Sequence, residues 1–101
     1  MKKIIGGRKY DTDTARLIGG TGYGCPSDLD YWCEELHQKR TGEFFLYGEG
    51  GPMSKYARYC GQNQWAGGEE IIPLNLEEAQ EWAETYLSAE EYEEIFGACE
   101  E

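Results

Sequence analysis

The stretch Ile71-Ile72-Pro73-Leu74-Asn75-Leu76-Glu77-Glu78-Ala79-Gln80-Glu81-Trp82-Ala83-Glu84-Thr85-Tyr86-Leu87-Ser88-Ala89-Glu90-Glu91-Tyr92-Glu93-Glu94-Ile95-Phe96-Gly97 decides the fold. A short β-branched run ends in a proline, which predicts a strand at an edge or a strand end. Asn75 then stands before Leu76 with Glu78 three residues on, the spacing of a capping box. Leu76, Ala79, Ala83, Tyr86 and Leu87 recur at helical spacing, with Trp82 beside them. Ser88 and Glu91 repeat the capping pattern. Ala89, Tyr92, Ile95 and Phe96 form a second apolar stripe, and Gly97 is a good stop. The spacing therefore predicts two helices with a break near Leu87–Ser88.

The same stretch is strongly acidic. From Glu69 onward the chain has twelve glutamates and no lysine or arginine, and every basic residue lies at or before Arg58. Glu77, Glu78, Glu81, Glu84, Glu90, Glu91, Glu93 and Glu94 are the candidate binding residues: an acidic helical surface for a basic protein partner. The plainer reading of the same run is a solvated helix face.

Upstream, the residues read as sheet and loop. Lys2–Ile5 and Arg8–Tyr10 flank Gly6-Gly7, a two-residue hairpin signal. Asp11 or Thr12 is expected to cap a short helix over Asp13–Ile18. Residues 19–28 hold four glycines and a proline and read as a flexible loop. Gly20-Thr21-Gly22-Tyr23-Gly24 lacks the Gly-Lys-Ser/Thr ending and the strand–helix context of a phosphate loop. Tyr31–Arg40 and Glu43–Tyr47 form the clearest hairpin, about Thr41-Gly42. A two-residue turn would pair Arg40 with Glu43 and Leu36 with Tyr47, leaving His37 and Leu46 on the other face. A slip of one residue would reverse this. Met53–Tyr59 reads as a short helix capped near Ser54. Cys60–Gln64 reads as a turn. Trp65, in polar surroundings, is either a satellite core anchor or an exposed aromatic contact.

The expected architecture is α+β: one domain over residues 1–101, a small antiparallel sheet of three to five strands, and two C-terminal helices packed on it. Length allows one modest core. Fourteen aromatic residues argue against disorder despite a net charge of −11. No apolar run approaches a membrane span and no signal peptide is evident, so the expected location is cytoplasmic. The acidity disfavours direct contact with nucleic acid or anionic membranes, whose binding needs Lys and Arg. Either a monomer or a homodimer paired through an edge of the Tyr31–Tyr47 hairpin fits.

Enzyme chemistry is not indicated. There is no His-x-x-x-His, no Gly-x-Ser-x-Gly and no calcium loop. Cys25, Cys33, Cys60 and Cys99 lack C-x₂₋₄-C spacing, so neither a metal site nor a cofactor is expected and free thiols are the simpler reading. Cys33 and His37 lie four apart on one strand, about 13 Å apart at 3.3 Å per residue, too far for a thiolate–imidazolium pair. His37, the single histidine, reads as a surface or edge residue.

Three segments are similar to a known family: Lys9–Ala15; Thr41–Ala57, with Gly48-Glu49-Gly50-Gly51-Pro52 at its centre; and Ile71–Leu74 leading through Glu81-Trp82-Ala83 to Glu91–Phe96. Together they resemble small proteins of Gram-positive bacteria and of their phages, plasmids and conjugative elements. The segment Gly19–Cys25 departs from that pattern. The resemblance implies a non-enzymatic inhibitor, some relatives being anti-CRISPR proteins directed at Cas9-type nucleases. It brings no catalytic residues. The implied partner is a CRISPR effector nuclease, whose basic nucleic-acid channel an acidic surface would occupy as a mimic of phosphate. The alternatives are a host-directed adaptor binding through its sheet face or the Trp65 loop, and, less favoured, a cysteine or metal protein.

Overall fold

The computed structural model describes residues 1–100. Eight strands precede two helices: β1 (Lys2–Ile5), β2 (Arg8–Asp11), β3 (Arg16–Tyr23), β4 (Trp32–Gln38), β5 (Phe44–Gly50), β6 (Arg58–Gly61), β7 (Gln64–Ala66), β8 (Gly68–Leu74), α1 (Leu76–Tyr86) and α2 (Ala89–Phe96). The central sheet is antiparallel with order β3-β4-β5-β8, and β1-β2 and β6-β7 are separate two-stranded ribbons. The fold is α+β, with the two C-terminal helices on one face of a four-stranded sheet, as the sequence predicted.

Alternation along the strands gives the sheet two buried faces. Leu36, Phe44 and Leu46 meet Ala79 and Trp82 under the helices, with Ile72, Leu74, Leu87, Ile95 and Phe96 packed around them. Phe45 and Ile71 point the other way and are covered by Tyr10 of the β1-β2 ribbon, with Ile5, Ala15 and Tyr47 beside them. Leu36 and Phe45 are fully buried, each worth roughly 2–3 kcal/mol of transfer energy. Both helices begin in complete capping boxes, Asn75 with Glu78 and Ser88 with Glu91. Pro73 sits in β8, an edge strand, where its missing N–H is harmless.

Several expectations are corrected. The hairpin loop has three residues, not two: Gly42 N–H donates to Lys39 O at 2.9 Å, Lys39 N–H to Glu43 O at 2.8 Å, and Gly42 has φ +95°. A type I turn followed by a left-handed glycine shifts the register by one. Leu36 therefore pairs with Leu46 and His37 with Phe45. His37 is buried in a central strand, 3% exposed and stacked on Phe45 at 5.2 Å, instead of at the surface. The strands of this hairpin, β4 and β5, are both interior, so it has no free edge for a dimer.

No helix forms over Asp13–Ile18. Asp11 Oδ1 accepts Asp13 N–H and Ala15 N–H reaches Asp11 O, a single turn that stops. The chain then enters β3, which runs through the glycines to Tyr23 and pairs with all of β4. Six residues are too few for a stable helix without tertiary support, and a strand partner was at hand. Met53–Tyr59 is likewise not helical. Ser54 Oγ accepts from Tyr56 N–H and donates to Gly51 O, making a turn that sends the Tyr56 ring beneath the sheet. Met53 is 70% exposed. Trp65 lies in β7, and its 57% exposure excludes the core-anchor alternative.

Tyr56 also explains Gly48. A Cβ on Gly48 would fall on the Tyr56 ring. Gly48→Ala should therefore displace Tyr56 and lower stability by about 2 kcal/mol in urea denaturation.

Candidate functional site

The helices form the candidate site because of how they are mounted. Ala79, Trp82 and Ala83 are the buried residues of α1. With that stripe turned inward, Glu77, Glu81 and Glu84 come outward, spaced at i, i+4 and i+7. On α2, Glu90, Glu93 and Glu94, at i, i+3 and i+4, are likewise exposed. All eight predicted glutamates are exposed, and among the described residues none of them enters an ion pair. They are not equivalent. Glu78 and Glu91 accept the N-cap backbone N–H of Asn75 and Ser88. Glu93 accepts Cys99 N–H at 3.1 Å. The carboxylates of Glu77, Glu81, Glu84, Glu90 and Glu94 make no hydrogen bond to another described residue.

This arrangement carries a local electrostatic cost. Glu77 and Glu81, and Glu90 and Glu94, are like-charge i,i+4 pairs, which destabilise a helix by about 0.2–0.5 kcal/mol each. Neither helix has a basic residue in its last turn to meet the dipole. A face selected only for solvation gains from lysines at these positions; this one has none.

A buried polar cluster fixes the acidic helix to the sheet. Glu34, on β4, is 3% exposed. Its carboxylate accepts Trp82 Nε1–H at 3.0 Å and the Tyr56 hydroxyl, and pairs with Lys55 Nζ at 2.9 Å. The Lys55 ammonium also lies 4.5 Å from the centre of the Trp32 ring. Burial alone would push the Glu34 carboxyl up, but the bonds from Lys55, Tyr56 and Trp82 outweigh it and hold the group below the usual carboxylate range. Burial, then the bond to Glu34, keeps the Tyr56 hydroxyl protonated well above its ordinary range. Glu34 is a positioning residue for α1. Sequence reasoning missed it, and the available signal was Trp82: an indole N–H on a buried stripe needs an acceptor.

On the opposite face, beyond the β1-β2 ribbon, tyrosines and carboxylates share a surface. Tyr31 donates to Glu49 at 2.9 Å. The Tyr47 hydroxyl stands 2.9 Å from Glu49 and 2.7 Å from Glu69, one proton between two carboxylates. Cys33 Sγ lies 3.3 Å from the Tyr31 hydroxyl, and burial pushes its thiol up, away from the thiolate a nucleophile needs. An open cleft of about 610 Å³ adjoins this face, lined in part by Tyr31, Glu49, Arg58 and Glu69. Cys25, Cys33, Cys60 and Cys99 are all free.

The hydrogen bonds from Tyr47 and Tyr31 hold Glu49 below the usual carboxylate range. Its folded pKa being depressed, its contribution is complete above the unfolded value of about 4.3 and is lost as pH falls through the folded value. Stability measured by urea denaturation should therefore drop on acidification below about pH 4, and Glu49→Gln should give a shallower acid limb than wild type.

Among the described residues no helix is long and apolar enough to cross a membrane. No protein-family model, curated protein or solved structure matches the chain.

Proposed function

We propose that this chain is a non-enzymatic, cytoplasmic protein-binding module that presents its acidic helical surface to a basic groove of a partner. The observation that carries the reading is the set of eight exposed glutamates, unpaired among the described residues, on two capped helices. Uncompensated charge on a rigid mount is what electrostatic steering toward a basic partner requires. The resemblance noted in the sequence makes the nucleic-acid channel of a Cas9-type nuclease the first partner to test, with the glutamates standing in for phosphates. On this reading the protein serves a phage or another mobile element as an inhibitor.

Cells carrying an active Cas9-type system and a targeted plasmid provide the test. Expression of this protein should restore transformation by the targeted plasmid, while a version with the helix glutamates replaced by glutamine should not. Loss of the plasmid at the full rate, with the protein shown to be expressed, would remove this partner.

A second reading, a host-directed adaptor, draws on the exposure of Trp65. It predicts binding that survives neutralisation of the helices and disappears with Trp65→Ala.

A further inference from the structure

We propose that the cleft between the Asp11–Arg16 turn and the β4-β5 loop binds a small molecule carrying a diphosphate group. Basic residues are scarce in this chain, nine against twenty acids. Yet Lys2, Lys3, Arg8, Lys9, Arg16, Lys39 and Arg40 fall on the β1-β2 ribbon, at the start of β3 and in the loop after β4. Tyr10 of the ribbon packs edge-on against Phe45, which brings Lys9 beside that loop. The β3-β4 register sets Arg16 opposite Gln38, the residue before Lys39. Lys9, Arg16, Lys39 and Arg40 thereby line two adjoining hollows of about 280 and 400 Å³, which share Thr14, Ala15, Lys39 and Arg40.

The charge in this cleft is largely unmet. Asp11 is the one carboxylate in its lining among the described residues, and Asp11 Oδ1 already accepts Asp13 N–H. Glu43 adjoins it but is shared between Arg8 at 2.9 Å and Lys39 at 3.4 Å. Asp13 and Glu35 lie outside the lining, and Glu35 meets His37. Among the described residues Lys9, Arg16 and Arg40 form no ion pair. Lys39 is fixed in place, its ammonium 4.1 Å from the centre of the Tyr10 ring and its side chain 14% exposed. Like charges gathered across neighbouring strands destabilise a sheet, and an anion between them relieves that cost.

Size and chemistry identify the occupant. Two arginine forks, two ammonium groups and the Thr14 hydroxyl suit the several acceptor oxygens of phosphoryl groups, and two adjoining hollows suit two linked ones. An acidic helix of a second copy, about 10–12 Å across, is too wide to enter hollows of this size. A nucleic acid would run on past the cleft and meet the carboxylates of a chain at −11. The lining includes no residue of either helix, so the proposal stands whether or not the acidic helices bind a basic partner.

Inorganic pyrophosphate, titrated calorimetrically into the full chain in metal-free, low-salt buffer, tests the site. The expected result is one pyrophosphate bound per chain with a Kd of about 1 mM or tighter. Arg16→Gln and Arg40→Gln should each weaken binding by about tenfold. Both side chains are exposed and unpaired, so their thermal unfolding should stay close to wild type. Arg58→Gln removes the same charge away from the cleft and should leave the affinity within about twofold of wild type. Absence of binding at millimolar pyrophosphate, or equal losses for Arg58→Gln and the two cleft variants, would overturn the proposal. Succinate binding as tightly as pyrophosphate would reduce the cleft to a general anion site and overturn it too. So would an oligothymidylate that binds more tightly than pyrophosphate, which would reassign the cleft to a nucleic-acid backbone.

Discussion

Glu34→Ala should lower the stability of this domain by about 4 kcal/mol. The substitution removes one carboxylate and strands three donors: Trp82 Nε1–H, the Tyr56 hydroxyl and the Lys55 ammonium. A buried donor left without a partner costs about 1–3 kcal/mol, and both Trp82 and Tyr56 are buried. Lys55 is half exposed, so it recovers water and adds little. For a domain of this size the loss corresponds to roughly 20 °C in Tm. Glu34→Gln keeps one acceptor oxygen and should cost about half as much. Trp82→Phe keeps the ring and removes only the N–H, so about 1 kcal/mol is expected. Urea denaturation of the three variants would check the ranking. Equal losses for Glu34→Ala and Glu34→Gln would mean that the carboxylate charge, not the side chain's volume or a single acceptor oxygen, holds the cluster together.

The second large effect is on binding. Replacing Glu77, Glu81, Glu84, Glu90, Glu93 and Glu94 with glutamine removes six outward charges and leaves the capping residues Glu78 and Glu91 in place. At about 0.5 kcal/mol for each exposed charge, affinity for a basic partner should fall on the order of a hundredfold. Stability should hold or rise slightly, since the i,i+4 repulsions within each helix disappear. The two outcomes together separate a binding surface from a structural one. A helix face that serves only solvation would gain the stability and lose no affinity.

What the sequence made legible was local. The capping boxes at Asn75 and Ser88 involve residues three apart, so both helices and the break between them could be read directly. Gly6-Gly7 announced the first hairpin, and Pro73 announced an edge. What stayed hidden was set by distant partners. β3 is rich in glycine and has little strand propensity of its own; pairing with β4 makes it a strand. The β4-β5 register turned on one extra loop residue before Glu43, which set His37 opposite Phe45. His37 is buried because the sheet face it shares with Phe45 and Ile71 is covered by Tyr10 of the β1-β2 ribbon. The Met53–Tyr59 segment has helical composition, but Tyr56 reaches Glu34, 22 residues away in sequence. The acidic face was readable because its charge lies in consecutive turns of predicted helix. Glu34, its anchor, was not, because nothing in the neighbourhood of residue 34 points to Trp82.

The most direct test of the acidic surface is its affinity for a Cas9-type nuclease at two ionic strengths. At about 0.1 M salt the screening length is about 10 Å, and at about 1 M it is about 3 Å. Wild type should bind tightly in the first condition and far more weakly in the second, and the six-glutamine variant should be weak in both. Binding that is equally tight at both salt concentrations, or equally tight in the two proteins, would contradict the account.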